Sequence, residues 1–153
     1  MMSEVARSLA PLRKTVVVPM PQSRAFDLFT ARVDDWWPLA THSVGLKDAE
    51  HVRIPREVGG SIVETMRDGT TSVWGTVTGW DPPVSVSFTW HPGQPTSYAG
   101  DIEVRFIADG PGRTMVELTH SGWDRRSDGA EARLGYDAGW DVVLAAYVAV
   151  ASP

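Results

Sequence analysis

Residues 118–144 read LTHSGWDRRSDGAEARLGYDAGWDVVL, and the reading of this stretch decides the fold. Its first residues complete a strand in which Val116, Leu118 and His120 alternate with Met115, Glu117 and Thr119. One face of that strand is apolar and ends in a histidine. A polar linker follows, and then the period changes. Trp140, Val143, Leu144, Tyr147 and Val148 stand at i, i+3, i+4, i+7 and i+8, one apolar stripe at the helical repeat. The stripe predicts a helix over about 135–150. A single striped helix after a run of strands must bury its stripe on the concave side of a sheet curved around it.

Upstream, alternation predicts strands near 13–18, 51–54, 61–66, 72–80, 84–90, 99–107 and 114–120. Asp68-Gly69, Asp81-Pro82-Pro83 and Gly110-Pro111-Gly112 supply turns between them. Val84, Val86, Phe88 and Trp90 share a face, and so do Ile102, Val104 and Phe106, each opposed by polar residues. Such strands make a sheet wetted on one side. The 72–80 strand is ambiguous: Trp74 and Trp80 share one face while Val73, Gly75 and Val77 share the other, and both cannot point inward. After the first strand, Pro21 opens a helix over about 22–31, with Ala25, Phe26 and Phe29 on one face. Asp34 and Asp35 cap a second helical turn holding Trp36 and Trp37, which Pro38 ends. The expected architecture is α+β: one antiparallel sheet wrapped around the C-terminal helix. It forms a single domain over 13–151 behind a flexible tail, 1–12.

Composition narrows the chemistry. A chain of 153 residues, 42% apolar with seven tryptophans, can build a core without covalent staples. There is no cysteine, which excludes disulfides, thiolate zinc sites and cysteine nucleophiles. The net charge of −5 comes from dispersed acids without a basic stripe, so neither nucleic acid nor an anionic membrane is an expected partner. No apolar run approaches the roughly 20 residues of a membrane span. The N-terminus lacks the pattern of a secretory signal, and cytoplasmic residence is the expectation. Arginine outnumbers lysine and asparagine is absent, which points to a GC-rich bacterial coding sequence. His42, His51, His91 and His120 have no metal-ligand spacing, so no metal is expected. Gly59-Gly60 reads as a strand bend, since no lysine or helix start follows it, and no cofactor is expected.

Several short pieces, in order, resemble a known family. They are Trp36-Trp37-Pro38; Gly59-Gly60 with Glu64; Asp68-Gly69; Trp74-Gly75-Thr76-Val77; Trp80-Asp81-Pro82-Pro83 with Phe88 and Trp90; Val116-Glu117-Leu118-Thr119-His120; and Gly135-Tyr136, Gly139-Trp140 and Leu144. Together they resemble the START-like (Bet v 1-like, SRPBCC) superfamily, and within it the group related to the C-terminal domain of the activator of Hsp90 ATPase. The resemblance implies a helix-grip fold with a hydrophobic cavity between sheet and C-terminal helix. It implies no single activity, because relatives include lipid carriers, plant ligand binders, polyketide cyclases, hormone receptors and co-chaperones. The co-chaperone also carries an N-terminal domain for which this chain has no room, so Hsp90 is not an expected partner.

Two side chains are candidate acid–base groups. His120 continues the inward series of Val116 and Leu118. It is either a polar anchor in an apolar pocket or a histidine hydrogen-bonded to backbone near its strand end. Ser121 cannot be its partner, because neighbouring strand residues project oppositely. Glu64 shares a face with Ile62 and Met66. Inside, it would be a carboxyl of raised pKa; the cost of an uncompensated buried acid favours a rim position paired with Arg67 or Arg105. Trp37, Phe88, Trp90, Tyr98, Leu118, His120, Trp140 and Leu144 are the expected ligand contacts, and the His42-Ser43 and His91-Pro92 loops border the entrance. Three functions follow. The leading one is a binding protein for a small apolar or aromatic molecule. The second is a cyclase-, aromatase- or hydrolase-like enzyme using His120 and Glu64. The third is a co-chaperone-like interaction module, and a homodimer is left open.

Overall fold

Seven strands form one antiparallel sheet in the computed structural model, which describes residues 8–153. They are β1 (Leu12–Val18), β2 (Ala49–Arg53), β3 (Ser61–Met66), β4 (Thr71–Asp81), β5 (Ser85–Trp90), β6 (Gly100–Ala108) and β7 (Thr114–Ser121). The spatial order is β1-β7-β6-β5-β4-β3-β2, so only the β1–β7 pairing is non-sequential. Helix α1 (Gln22–Phe29) follows β1, and α2 (Gly129–Ala151) closes the chain. The fold is the expected helix grip. Residues 1–7 of the expected tail lie outside the described residues. Leu12, assigned to that tail, is instead the first residue of β1, buried opposite His120.

Two β-bulges resolve the ambiguous strand. Ile62 pairs with Gly75 but Val63 with Val73, so Trp74 is an extra residue in β4. Val77 pairs with Phe88 but Gly79 with Ser87, so Thr78 is a second. Each extra residue reverses which parity faces inward. Trp74 and Val77 are therefore both buried, while Trp80 returns to the inner side and packs edge-on against Phe26. Val84 departs from the expected inner face: it lies in the turn before β5 and is exposed. Its carbonyl accepts from Phe106 N–H and its amide bonds Asp81, so backbone bonding, not side-chain burial, fixes it.

The turn after α1 also differs from expectation. It is a 3-10 turn over Val33–Asp35 that Trp36 and Trp37 follow, and neither aspartate caps it. Asp34 accepts instead from Val52 N–H at 3.0 Å and from His51 Nδ1 at 2.7 Å, tying the turn to edge strand β2. Asp35 takes Arg32 Nε at 2.9 Å.

Helix α2 begins at Gly129, six residues before the predicted start. Ala130, Glu131, Ala132 and Arg133 are good helix formers, but this first part lies largely outside the core and shows no stripe. By length and hydropathy the helix could cross a bilayer. Here Trp140, Val143, Leu144 and Tyr147 are buried inside the domain, and Asp137 and Asp141 pair with Lys14 of β1. Tyr147 Oη donates to Ala25 O at 2.8 Å, joining α2 to α1.

The interior of the grip is filled. Phe29 touches Trp36, Phe106 and Tyr147, and Trp37 touches Trp36, Trp74, Trp90 and Trp140, with ring centroids 5.0–6.0 Å apart in this network. Among these rings a void of only about 10 Å³ remains, barely the space of one water. The resemblance implied a hydrophobic cavity between sheet and C-terminal helix; bulky indoles occupy that volume.

Candidate functional site

A concavity with aromatic walls lies at one end of the grip. A cleft of about 390 Å³ opens where three segments meet. Helix α2 contributes Tyr136, Gly139, Trp140 and Val143; the segment after α1 contributes Trp37 and residues 41–44; the end of β5 contributes Trp90 and, beyond it, residues 92–94. Trp37, Trp90 and Trp140 touch one another, at 5.7, 6.0 and 5.5 Å between centroids, and give the cleft an aromatic wall. Thr41, His42, Ser43 and Gln94 supply polar groups. An apolar cleft of this size with a few polar groups has the composition of a small-molecule site.

Glu64 fixes one wall. It is fully buried, which corrects the expected rim position. Its Oε1 accepts from Val44 N–H at 2.9 Å and Trp74 Nε1–H at 2.8 Å, and its Oε2 accepts from Gly45 N–H at 2.8 Å. Three donors compensate its desolvation, and neither Arg67 nor Arg105 forms an ion pair with it among the described residues. Ser43 Oγ, bonded to Leu39 O and Leu46 N–H, and Trp37 Nε1, donating to His42 O at 2.7 Å, hold the same loop.

His120 supports the opposite wall. It is 2% exposed, with the Trp123 ring at 4.1 Å and the Tyr136 ring at 4.9 Å. Trp140 Nε1–H donates to its Nδ1 at 3.0 Å, which requires the neutral imidazole with its proton on Nε2. Burial, helped by the charge of Arg126, pushes its pKa down to about 3. The imidazole stands behind Trp140 and does not line the cleft.

Tyr136 and Trp90 add a phenol and an indole N–H to the polar groups of the cleft. Burial holds the Tyr136 phenol above its usual range, opposed by Arg126 and by the nearby Trp90 N–H. Trp90 Nε1 is buried and has no acceptor at hydrogen-bonding geometry, the single such side-chain atom among the described residues. Arg126, bonded twice to Asp128, lies 5.1 Å above the Tyr98 ring.

Of the expected ligand contacts, Trp37, Trp90 and Trp140 line the cleft. Phe88, Leu118 and Leu144 belong to the packed core, and Tyr98 lies outside the cleft with its hydroxyl on Ser127 Oγ. His120 and Glu64 do not meet; they buttress different walls. Of the two entrance loops, His42, Ser43 and Pro92 line the cleft, while His91 Nδ1 faces Gln94 O. Sequence reasoning missed Tyr136, Gly139 and Val143 as lining residues. Tyr136 stands four residues before Trp140, so extending the stripe one turn would have found it. No three acidic or histidine side chains gather as metal ligands among the described residues.

This geometry defines a helix-grip domain whose interior is packed and whose concave site is an aromatic cleft at one end. The chain belongs to the Activator of Hsp90 ATPase homolog 1-like protein family, whose sequence model matches residues 19–150. No curated protein matches it. Among solved structures it is similar to the anthrahydroquino-γ-pyrone synthase Txn09 complexed with SUM, at 36% identity over 80% of this chain and 82% of that one, with a TM-score of 0.58. Two more distant structures share the fold. The Aha1 dimer from Colwellia psychrerythraea is 17% identical over 91% and 93% of the chains, with a TM-score of 0.66. The self-sacrificing resistance protein CalC from Micromonospora echinospora is 23% identical over 94% and 95%, with a TM-score of 0.65.

Proposed function

We propose that the protein binds a planar aromatic small molecule in the cleft between α2, the 41–44 loop and the end of β5. The carrying observation is the contact triad of Trp37, Trp90 and Trp140 lining a cleft of about 390 Å³. Aromatic walls recognise flat rings by area and by offset or edge-on stacking. The walls are braced from behind by Glu64 and His120, so little ordering is needed on binding. The test is titration of tryptophan fluorescence with a panel of tricyclic aromatics, flavonoids, steroids and fatty acids. Flat aromatics should quench saturably, and Trp37→Ala should weaken them about tenfold or more. Equal response to fatty acids, or none to any aromatic, overturns the reading.

A second reading is favoured by one observation, the 36% identity to a synthase of an aromatic pyrone. In it the cleft shapes a bound polyketide-like molecule for ring closure. His120 is then a positioning residue, since its bonded Nδ1 and distance behind Trp140 keep it from the ligand. Tyr136 is a proton-bearing group in the cleft, and burial holds its phenol above its usual range. Turnover of a cyclisable phenolic substrate whose kcat falls in Tyr136→Phe far more than its binding weakens would separate catalysis from carriage.

A further inference from the structure

The Trp90 indole N–H, in a residue 4% exposed in the cleft wall, has no acceptor at hydrogen-bonding geometry, although the Tyr136 hydroxyl lies near enough to interact with it. Every other indole N–H in the interior has one: Trp36 bonds Leu28 O, Trp37 bonds His42 O, Trp74 bonds Glu64, Trp123 bonds His120 O and Trp140 bonds His120 Nδ1. A buried donor left unmade costs about 1–3 kcal/mol, which is why such groups are rare. The exception falls beside the Tyr136 hydroxyl, the one phenol lining the same cleft.

We propose that Trp90 Nε1–H and Tyr136 Oη–H form a two-donor subsite for a carbonyl or phenolate oxygen on the ligand's ring system. This deepens the proposed function and rests on it: the tryptophans hold a flat molecule, and the two donors select one carrying an acceptor oxygen at its edge. The acidic neighbour whose charge reaches the subsite, Asp128, is bonded twice to Arg126, which offsets its repulsion of that oxygen. Arg126, whose charge reaches the Tyr136 phenol, favours partial negative charge there. Quinones, pyrones and phenolates fit this chemistry; the parent hydrocarbons do not.

The test compares two probes of one shape, anthraquinone-2-carboxylate and anthracene-2-carboxylate, by fluorescence titration and calorimetry. The wild type should bind the quinone about tenfold or more tighter, although the hydrocarbon is the more apolar. Trp90→Phe keeps a ring but removes the donor, and should reduce that preference to within about twofold by weakening the quinone alone. Tyr136→Phe should remove part of the preference, which keeps the test decisive if Trp90→Phe fails to fold. Equal binding of both probes to the wild type overturns the subsite and leaves aromatic binding standing. A preference unchanged in either folded variant also overturns it. Binding of neither probe overturns the aromatic-binding reading, and the subsite with it.

Discussion

His120 shows how a residue that looks chemical in sequence becomes structural through its partners. Its Nδ1 accepts the Trp140 N–H, and its ring is enclosed by Trp123 and Tyr136. The folded pKa of about 3 lies below the value of about 6.5 expected when unfolded. Below pH 6.5 the unfolded chain therefore takes up a proton that the folded chain refuses. This contribution to stability is full above pH 6.5 and falls by about 1.4 kcal/mol per pH unit down towards pH 3. Denaturant unfolding at several pH values should show a flatter acid limb in His120→Ala than in wild type. The same variant leaves the Trp140 N–H unpaired beside a cavity and should lose about 2–4 kcal/mol at pH 7. Glu64→Ala strands three donors at once, two of them from the 44–45 backbone, and should cost about 3 kcal/mol or more while loosening that cleft wall. Hydrogen exchange at Val44 and Gly45 is the direct readout of the loosening.

At the scale of elements, what was legible depended on regular periodicity. The stripe from Trp140 to Tyr147 and the alternation in β5, β6 and β7 map directly onto the packed faces, because nothing interrupts their repeat. β4 was illegible because its two bulges reverse parity at Trp74 and again at Thr78, and an unpaired residue leaves no mark in a single sequence. The burial of Glu64 was missed for a related reason: its donors come from a loop nineteen and twenty residues away and from the bulged Trp74. Gly75, next to the first bulge, is there because a Cβ would lie 1.8 Å from Thr89 O. Gly75→Ala should therefore prevent folding or cost several kcal/mol, measured by chemical denaturation. Two helix glycines make the opposite comparison. A Cβ at Gly135 meets nothing, and one at Gly139 meets only His42 at 3.9 Å across the cleft. Alanine at either should stabilise α2 by about 0.5–1 kcal/mol, but only Gly139→Ala should narrow the cleft and weaken aromatic ligands.

On the scale of the whole molecule, stability and binding draw on adjacent parts of one aromatic network. A hollow grip would forgo packing over its full volume; this one fills its interior with indoles and has an aromatic cleft at one end, where Trp37, Trp90 and Trp140 are shared between core and cleft. A ligand that stacks there extends the core outward and has no such surface to meet in the unfolded chain. Binding must therefore raise the unfolding temperature. At one hundred times its dissociation constant a flat aromatic ligand should add about 2.7 kcal/mol. For a domain of this length that is a rise of roughly 5–11 °C. The same shift should shrink in Trp90→Phe when the ligand carries a ring carbonyl, and persist when it does not. Calorimetric scans with the two anthracene-skeleton probes measure both. If saturating ligand moves the transition by less than a degree while fluorescence still reports binding, the bound site lies on a surface that survives unfolding, and the cleft is not where the molecule is held.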